Sequence, residues 1–289
     1  MIRFTLIAVT LTGIALYGSG YSRTPITALP VAEPITPPTP LGESFDIGKT
    51  GTVTGQIRWE GPLPQVAGFR TPRLLLGKAT WLEADNPLAP RIEPKSQGLA
   101  GVLVEIRGIA PQASRPWPHG RATVVLRDRQ IVIEQDQRSA GVFGIVRRGE
   151  SITIVSQQLI LEALRARGAA FFTQAIPEAN RLIERRLDQV GLVELSSGVG
   201  HFWARAYLAV RDHPYVTITD QAGRFTIPEV PSGDYEMIAT LTNWRIAKEE
   251  RDPELMWLMR QEYERPIVKT TGVQVIAGQV REVGMSLTK

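Results

Sequence analysis

The chain has 289 residues, 43% of them hydrophobic and 21% charged, enough for two small domains with extensions. Its formal net charge is +4, yet no basic tract exceeds a few residues, so no nucleic-acid partner is indicated. Cysteine is absent, which excludes disulfides, zinc–thiolate sites, iron–sulfur clusters and every Cys-ligated copper centre.

Residues 1–21 read as a targeting segment, in which Arg3 precedes an apolar run from Phe4 to Tyr17 and then Gly18-Ser19-Gly20. A secretory signal cleaved after Gly20 fits this pattern. An uncleaved membrane anchor fits it too, because residues 4–21 carry no charge. Either places the body of the chain on the periplasmic or extracellular side. Residues 22–47 contain six prolines in PITALPVAEPITPPTP and predict an extended linker, or a strap laid on a partner surface.

Gly51 to Trp59 alternates as a strand does, and LLLGKATWLEA (74–84) predicts a short helix. Strands are expected at Val102–Ile106, ATVVLR (122–127), QIVIE (130–134) and GVFGIVRRGESITIV (141–155). The last has a hairpin turn at Arg147-Arg148-Gly149-Glu150. LILEALRARG (159–168) has helical spacing. Strands resume at 170–175 and 192–195, separated by the charged segment 178–188.

From His201 to Met237 the turns are written out. AYLAV (206–210) and YVTIT (215–219) are followed by Asp220-Gln221-Ala222-Gly223, where Asp bonds the backbone ahead and Gly permits positive φ. Further strands are expected at 224–227 and, after Pro231-Ser232-Gly233-Asp234, at 235–240. Asp252-Pro253-Glu254 reads as a helix start for a helical insert near 252–264, carrying Met256, Trp257, Leu258, Met259 and Tyr263. Strands at 273–275 and 280–287 close the chain.

The segment TDQAGRFTIPEVPSGDYEMIA (219–239) resembles the "T-D-x-x-G-x-F-x-I-x-x-[VL]-P-x-G-x-Y" block of carboxypeptidase regulatory-like domains, which are transthyretin-like β-sandwiches. GTVTGQI (51–57) resembles their first strand. HFWARAYLAVRDHPY (201–215) resembles the end of the copper loop of bacterial cupredoxin-like proteins. These resemblances imply an all-β chain: a discontinuous regulatory-like sandwich at 48–110 and 212–289, with a cupredoxin-like barrel or sandwich at 119–211 inserted into it.

A cupredoxin site would use two His, one Cys and an axial Met. By the resemblance, His201 matches the loop histidine, Ser197 or Gly198 stands at the Cys position, and Phe202 replaces a proline. Ala204 stands at the Met position and Glu162 at that of the first His. One ligand of four remains, so no metal or other cofactor is expected; His119 and His213 are too distant in sequence to restore the set. Among other chemistries, no P-loop, dinucleotide fingerprint, EF-hand or Gly-x-Ser-x-Gly elbow occurs. Ser197 with His201 as base lacks an orienting acid within the loop.

The expectation is therefore a non-catalytic accessory subunit that docks on a membrane protein complex, beside electron-transport or photosynthetic assemblies if the fold analogy holds. Its contacts would be the N-terminal segment, the Pro-rich strap and the 245–266 insert. Candidate binding residues are Trp244, Met256, Trp257, Met259 and Tyr263, with Arg181, Arg185 and Arg186 in RLIERR. Residues 4–21 would add a membrane contact if retained. The alternative is a free periplasmic glycan- or peptide-binding module with an aromatic groove at Trp59, Trp81 or Trp117.

Overall fold

The structure, a computed structural model, describes residues 44–75, 78–136, 138, 140–254 and 258–288. The expected N-terminal helix, nearly all of the Pro-rich segment, Met256 and Trp257 lie outside them. Among the described residues the chain is all-β, its only helices being the 3-10 turns Ile47–Lys49 and Pro111–Ala113.

Two pairs of sheets form two cores. In the first pair, Thr50–Trp59 lies between Arg224–Pro231, antiparallel, and Val280–Leu287, parallel. The facing sheet runs in the order Val216–Ile218, Leu103–Arg107, Gly233–Leu241, Ile267–Val275. Val53, Ile57, Val104, Ile106, Met237 and Ala239 fill the space between them. Strands before and after the intervening 120–211 region thus share one core. Gly55 is required at the crowded centre of its strand: a Cβ there would meet the Phe225 ring at 2.8 Å. The 220–223 turn forms as its residues dictate, with Asp220 Oδ1 accepting from the Ala222 and Arg224 amides and Gly223 at φ +74°.

In the second pair, one sheet is ordered Ile183–Arg186, Ser151–Ser156, Thr123–Arg127, Gln130–Glu134. Its partner is ordered Phe172–Ile176, Glu162–Gly168, Gly191–Ser197, Arg205–Arg211, Phe143–Arg147. Neither sheet closes on itself, so this half is a sandwich and the barrel form of the expectation is set aside.

The strand Arg205–Arg211 holds the halves together. Side chains alternate along a strand, and here every residue is buried. Ala206, Leu208 and Val210 enter the second core, whereas Tyr207 and Ala209 turn the other way and join the first, beside Phe143 and Ile145. A buried ion pair reinforces this seam. Arg211 Nε donates to Glu105 Oε2 at 2.5 Å, its Nη2 reaches the same oxygen, and its Nη1 donates to the carbonyls of Gly191 and Val210. Arg107 binds the other carboxylate oxygen.

Three helical expectations are corrected. Residues 74–75 and 78–84 belong to the paired strands Phe69–Leu75 and Lys78–Ala84, because so short a helix has little stability by itself and the strand pair satisfies the backbone instead. Glu162–Gly168 is a strand with neighbours on both sides. Its Leu164 and Ala166 point inward between exposed Arg165 and Arg167, a period of two that the helix-forming composition of LILEALRARG conceals. The insert is a hairpin too, Ile246–Arg251 with Leu258–Tyr263. The Asp252 side chain accepts from the Glu254 amide at 3.0 Å and so makes a local turn of what reads as a helix cap. Lastly, Arg147–Glu150 passes the chain from one sheet to the other and is not a hairpin turn.

Removing Arg211 takes from Glu105 its buried cation and leaves it only the largely exposed Arg107. Arg211→Met is expected to destabilise the protein by about 3–5 kcal/mol, and the double replacement Arg211→Met with Glu105→Leu to recover most of that loss. Urea unfolding of the three proteins measures both values.

Candidate functional site

The five positions matched to a copper loop gather at one end of the second sandwich. Glu162–Gly168 and Gly191–Ser197 are neighbouring strands with Leu164 opposite Ser197, so the start of one lies beside the loop that follows the other. His201 Nδ1 stands 3.7 Å from Glu162 Oε1, and Gln158 Nε2 donates to that oxygen at 2.8 Å. Gly198 donates to the carbonyl of Ala163 at 2.7 Å, and Ala204 to that of His201 at 3.0 Å. Trp203 is buried beneath them, its indole Nε1 bonded to the Arg129 carbonyl at 3.0 Å, with Phe202 edge-on to its ring.

Burial sets the electrostatics. It pushes the Glu162 carboxyl above its ordinary value, against the pull of Arg129, and it presses the His201 imidazole below its ordinary value, with Arg129 adding to the effect. Both groups are driven toward their neutral forms.

Copper does not fit this arrangement. The set offers one imidazole and one carboxylate, Ser197 or Gly198 supplies no sulfur, and Arg129 brings a positive charge to the place a cation would take. Among the described residues no three His, Cys, Asp or Glu side chains gather to hold a metal. The acid that Ser197 and His201 lack in sequence is supplied by Glu162. Ser197 Oγ, however, accepts from the Val199 amide at 3.2 Å, and no hydrogen bond joins it to His201. The contacts pin a loop; they do not align a nucleophile.

The candidate binding residues do not form one surface. Trp244 is buried in the first core, edge-on to Trp59 at 5.7 Å. Tyr263 faces inward: its hydroxyl reaches the Trp203 carbonyl at 3.4 Å and the Arg205 guanidinium lies over its ring at 5.5 Å. Arg205 also donates to the Gln261 carbonyl at 2.7 Å, so the insert is tied to the second sandwich. Arg185 and Arg186 are exposed on the edge strand Ile183–Arg186, engaged with Gln174 and Asp188, and Arg181 precedes it beside Glu178.

A more prominent surface was missed. Leu159, Ile160 and Leu161 are 95%, 51% and 62% exposed in the loop leading to Glu162, with Leu182 also exposed. Three successive apolar residues cannot all face inward from a loop; assigning LILEALRARG to a helix absorbs them into its apolar content and hides the signal.

His213 is buried and His119 and His201 are partly buried, and all three have depressed pKa values, His119 to about 4, chiefly through burial and then through Arg138. A histidine held neutral in the fold takes up its proton more readily when unfolded. Its contribution is intact above the ordinary value of about 6.5 and is lost as the pH falls toward the folded value. Glu162 acts in the opposite sense just above the usual carboxylate range. Acidification from pH 6.5 to 4 is expected to cost up to about 3 kcal/mol through His119. Urea unfolding of His119→Gln, compared at the two pH values, should show that much less acid sensitivity.

No protein-family profile matches the chain, and no curated protein matches it. Among solved structures, a Met-to-Ala variant of amicyanin in its Cu(I) form is similar at 12% identity, over 37% of this chain and 98% of its own, with a TM-score of 0.25. A purple cupredoxin from Nitrosopumilus maritimus is similar at 11% identity, over 31% of this chain and 99% of its own, also with a TM-score of 0.25.

Proposed function

We propose that this chain is a non-catalytic, extracytoplasmic accessory subunit that docks on a membrane protein complex, held near the bilayer by residues 4–21. The observation that carries the reading is the exposed run Leu159-Ile160-Leu161 at one tip of the second sandwich. Contiguous apolar side chains are kept in water at a cost of solubility, and a partner that covers them removes it. The hairpin strand Ile246–Arg251 is exposed along its whole length, a second accessible face. The arrangement at Glu162 and His201 favours a structural role over a redox one.

The alternative, a free glycan- or peptide-binding module, asks for exposed aromatic rings. Trp59 is 5% exposed and spends its indole N–H on the Pro62 carbonyl, so it offers no platform.

In mild detergent the tagged protein should co-purify with a larger membrane assembly and keep residues 1–20. The triple variant Leu159→Ser, Ile160→Ser, Leu161→Ser should fold with an unchanged melting temperature and separate from that assembly. A monomer beginning at Tyr21, in no larger particle, would overturn the reading.

A further inference from the structure

Between the two sandwiches lies a groove with two adjoining lobes of about 280 and 220 Å³. The lobes share Arg91, Ala100, Gly101, Gly141 and Val142, so they form one continuous depression. Walls come from both sandwiches: Phe143 and Ile133 on one side, Ile218 and Ala100 on the other. An apolar cleft of this size with a few convergent polar groups is the usual form of a small-molecule site.

Its polar groups are specific. Arg91 lines both lobes and Arg138 lines the larger. Arg138 Nη2 donates to Gln135 Oε1 at 2.6 Å, and the nearest acid, Asp136, is 3.8 Å away. Asp136 is engaged elsewhere as well, accepting from the Gly120 amide and lying 3.9 Å from His119. Asp220, on the rim of the larger lobe, has an oxygen held by two turn amides, and Asp85 lines the smaller lobe. In the larger lobe, Arg91 and Arg138 therefore meet with the acids beside them already engaged. Gln130 also lines the smaller lobe, but its Oε1 is buried away from the open space and offers a ligand no contact.

We infer that this groove binds a small amphipathic carboxylate: an apolar body in the cleft and a carboxylate on Arg91 and Arg138. An N-acylated amino acid has both features. The site needs neither the tip loop nor the membrane segment, so it stands or falls separately from the docking role.

The probe is N-octanoylglycine, titrated into the full-length protein by calorimetry, with its methyl ester as control. Saturable one-to-one binding is expected, with the ester at least about tenfold weaker, since a charged carboxylate on guanidinium is the stronger hydrogen-bonding partner. Arg91→Gln and Arg138→Gln should each weaken the acid by a similar factor and leave the ester unaffected; a melting curve establishes that each variant is folded. Val142→Phe, which narrows both lobes, should abolish binding of acid and ester alike. No saturable binding at millimolar probe would overturn the proposal. So would equal affinity for acid and ester, or an affinity unchanged in both arginine variants.

Discussion

The strand Arg205–Arg211 is buried on both faces, and most of the architecture depends on that. A strand with one wet face could belong to either core alone; this one gives alternate residues to each. The five-stranded sheet therefore cannot be separated from the first sandwich without exposing Tyr207, Ala209, Phe143 and Ile145 together. Glu105 and Arg211 add direction to this apolar contact, because a buried carboxylate tolerates only the position in which its cations reach it.

At the tip of the second sandwich, a histidine, a carboxylate and a tryptophan are packed closely and serve cohesion. A thiolate would create demand for a soft metal; Glu162 and Ser197 create none, and the neutral forms favoured at Glu162 and His201 reduce the cost of burying them. The polar atoms pair with one another and with backbone, so the apolar residues around them are the ones left facing water.

Much of this fold was legible in the sequence. The strand at 51–59 is announced by alternation, those at 130–134, 206–210 and 280–287 by short runs rich in apolar residues, and the turn at 220–223 by Asp and Gly in the required places. The failures share one cause. LLLGKATWLEA, LILEALRARG and the 252–264 insert are rich in residues with high helix propensity, and in each the pairing partner that decided for a strand lies outside the window. Arg165 and Arg167, alternating with Leu164 and Ala166, did carry the signal. The positions Glu162 and His201 were singled out by resemblance, yet their direct contact depends on strand register that no local pattern encodes. The groove was invisible, because Arg91, Gln130 and Arg138 are brought together only by the packing of two sandwiches. Trp244 and Tyr263 read as surface anchors, whereas large aromatics more often stabilise a fold from within.

The place of Thr50–Trp59 has a consequence for synthesis. It is the first strand of its sandwich to leave the ribosome, and both of its partners, Arg224–Pro231 and Val280–Leu287, are among the last. The second sandwich is continuous in sequence and can close while that early strand still waits, with Val53 and Ile57 uncovered and both edges open. An open apolar strand edge in a half-made chain invites pairing with other chains. The order of the strands along the chain therefore sets a waiting time, during which the early edge has to be kept from other chains until Val280–Leu287 arrives to cover it.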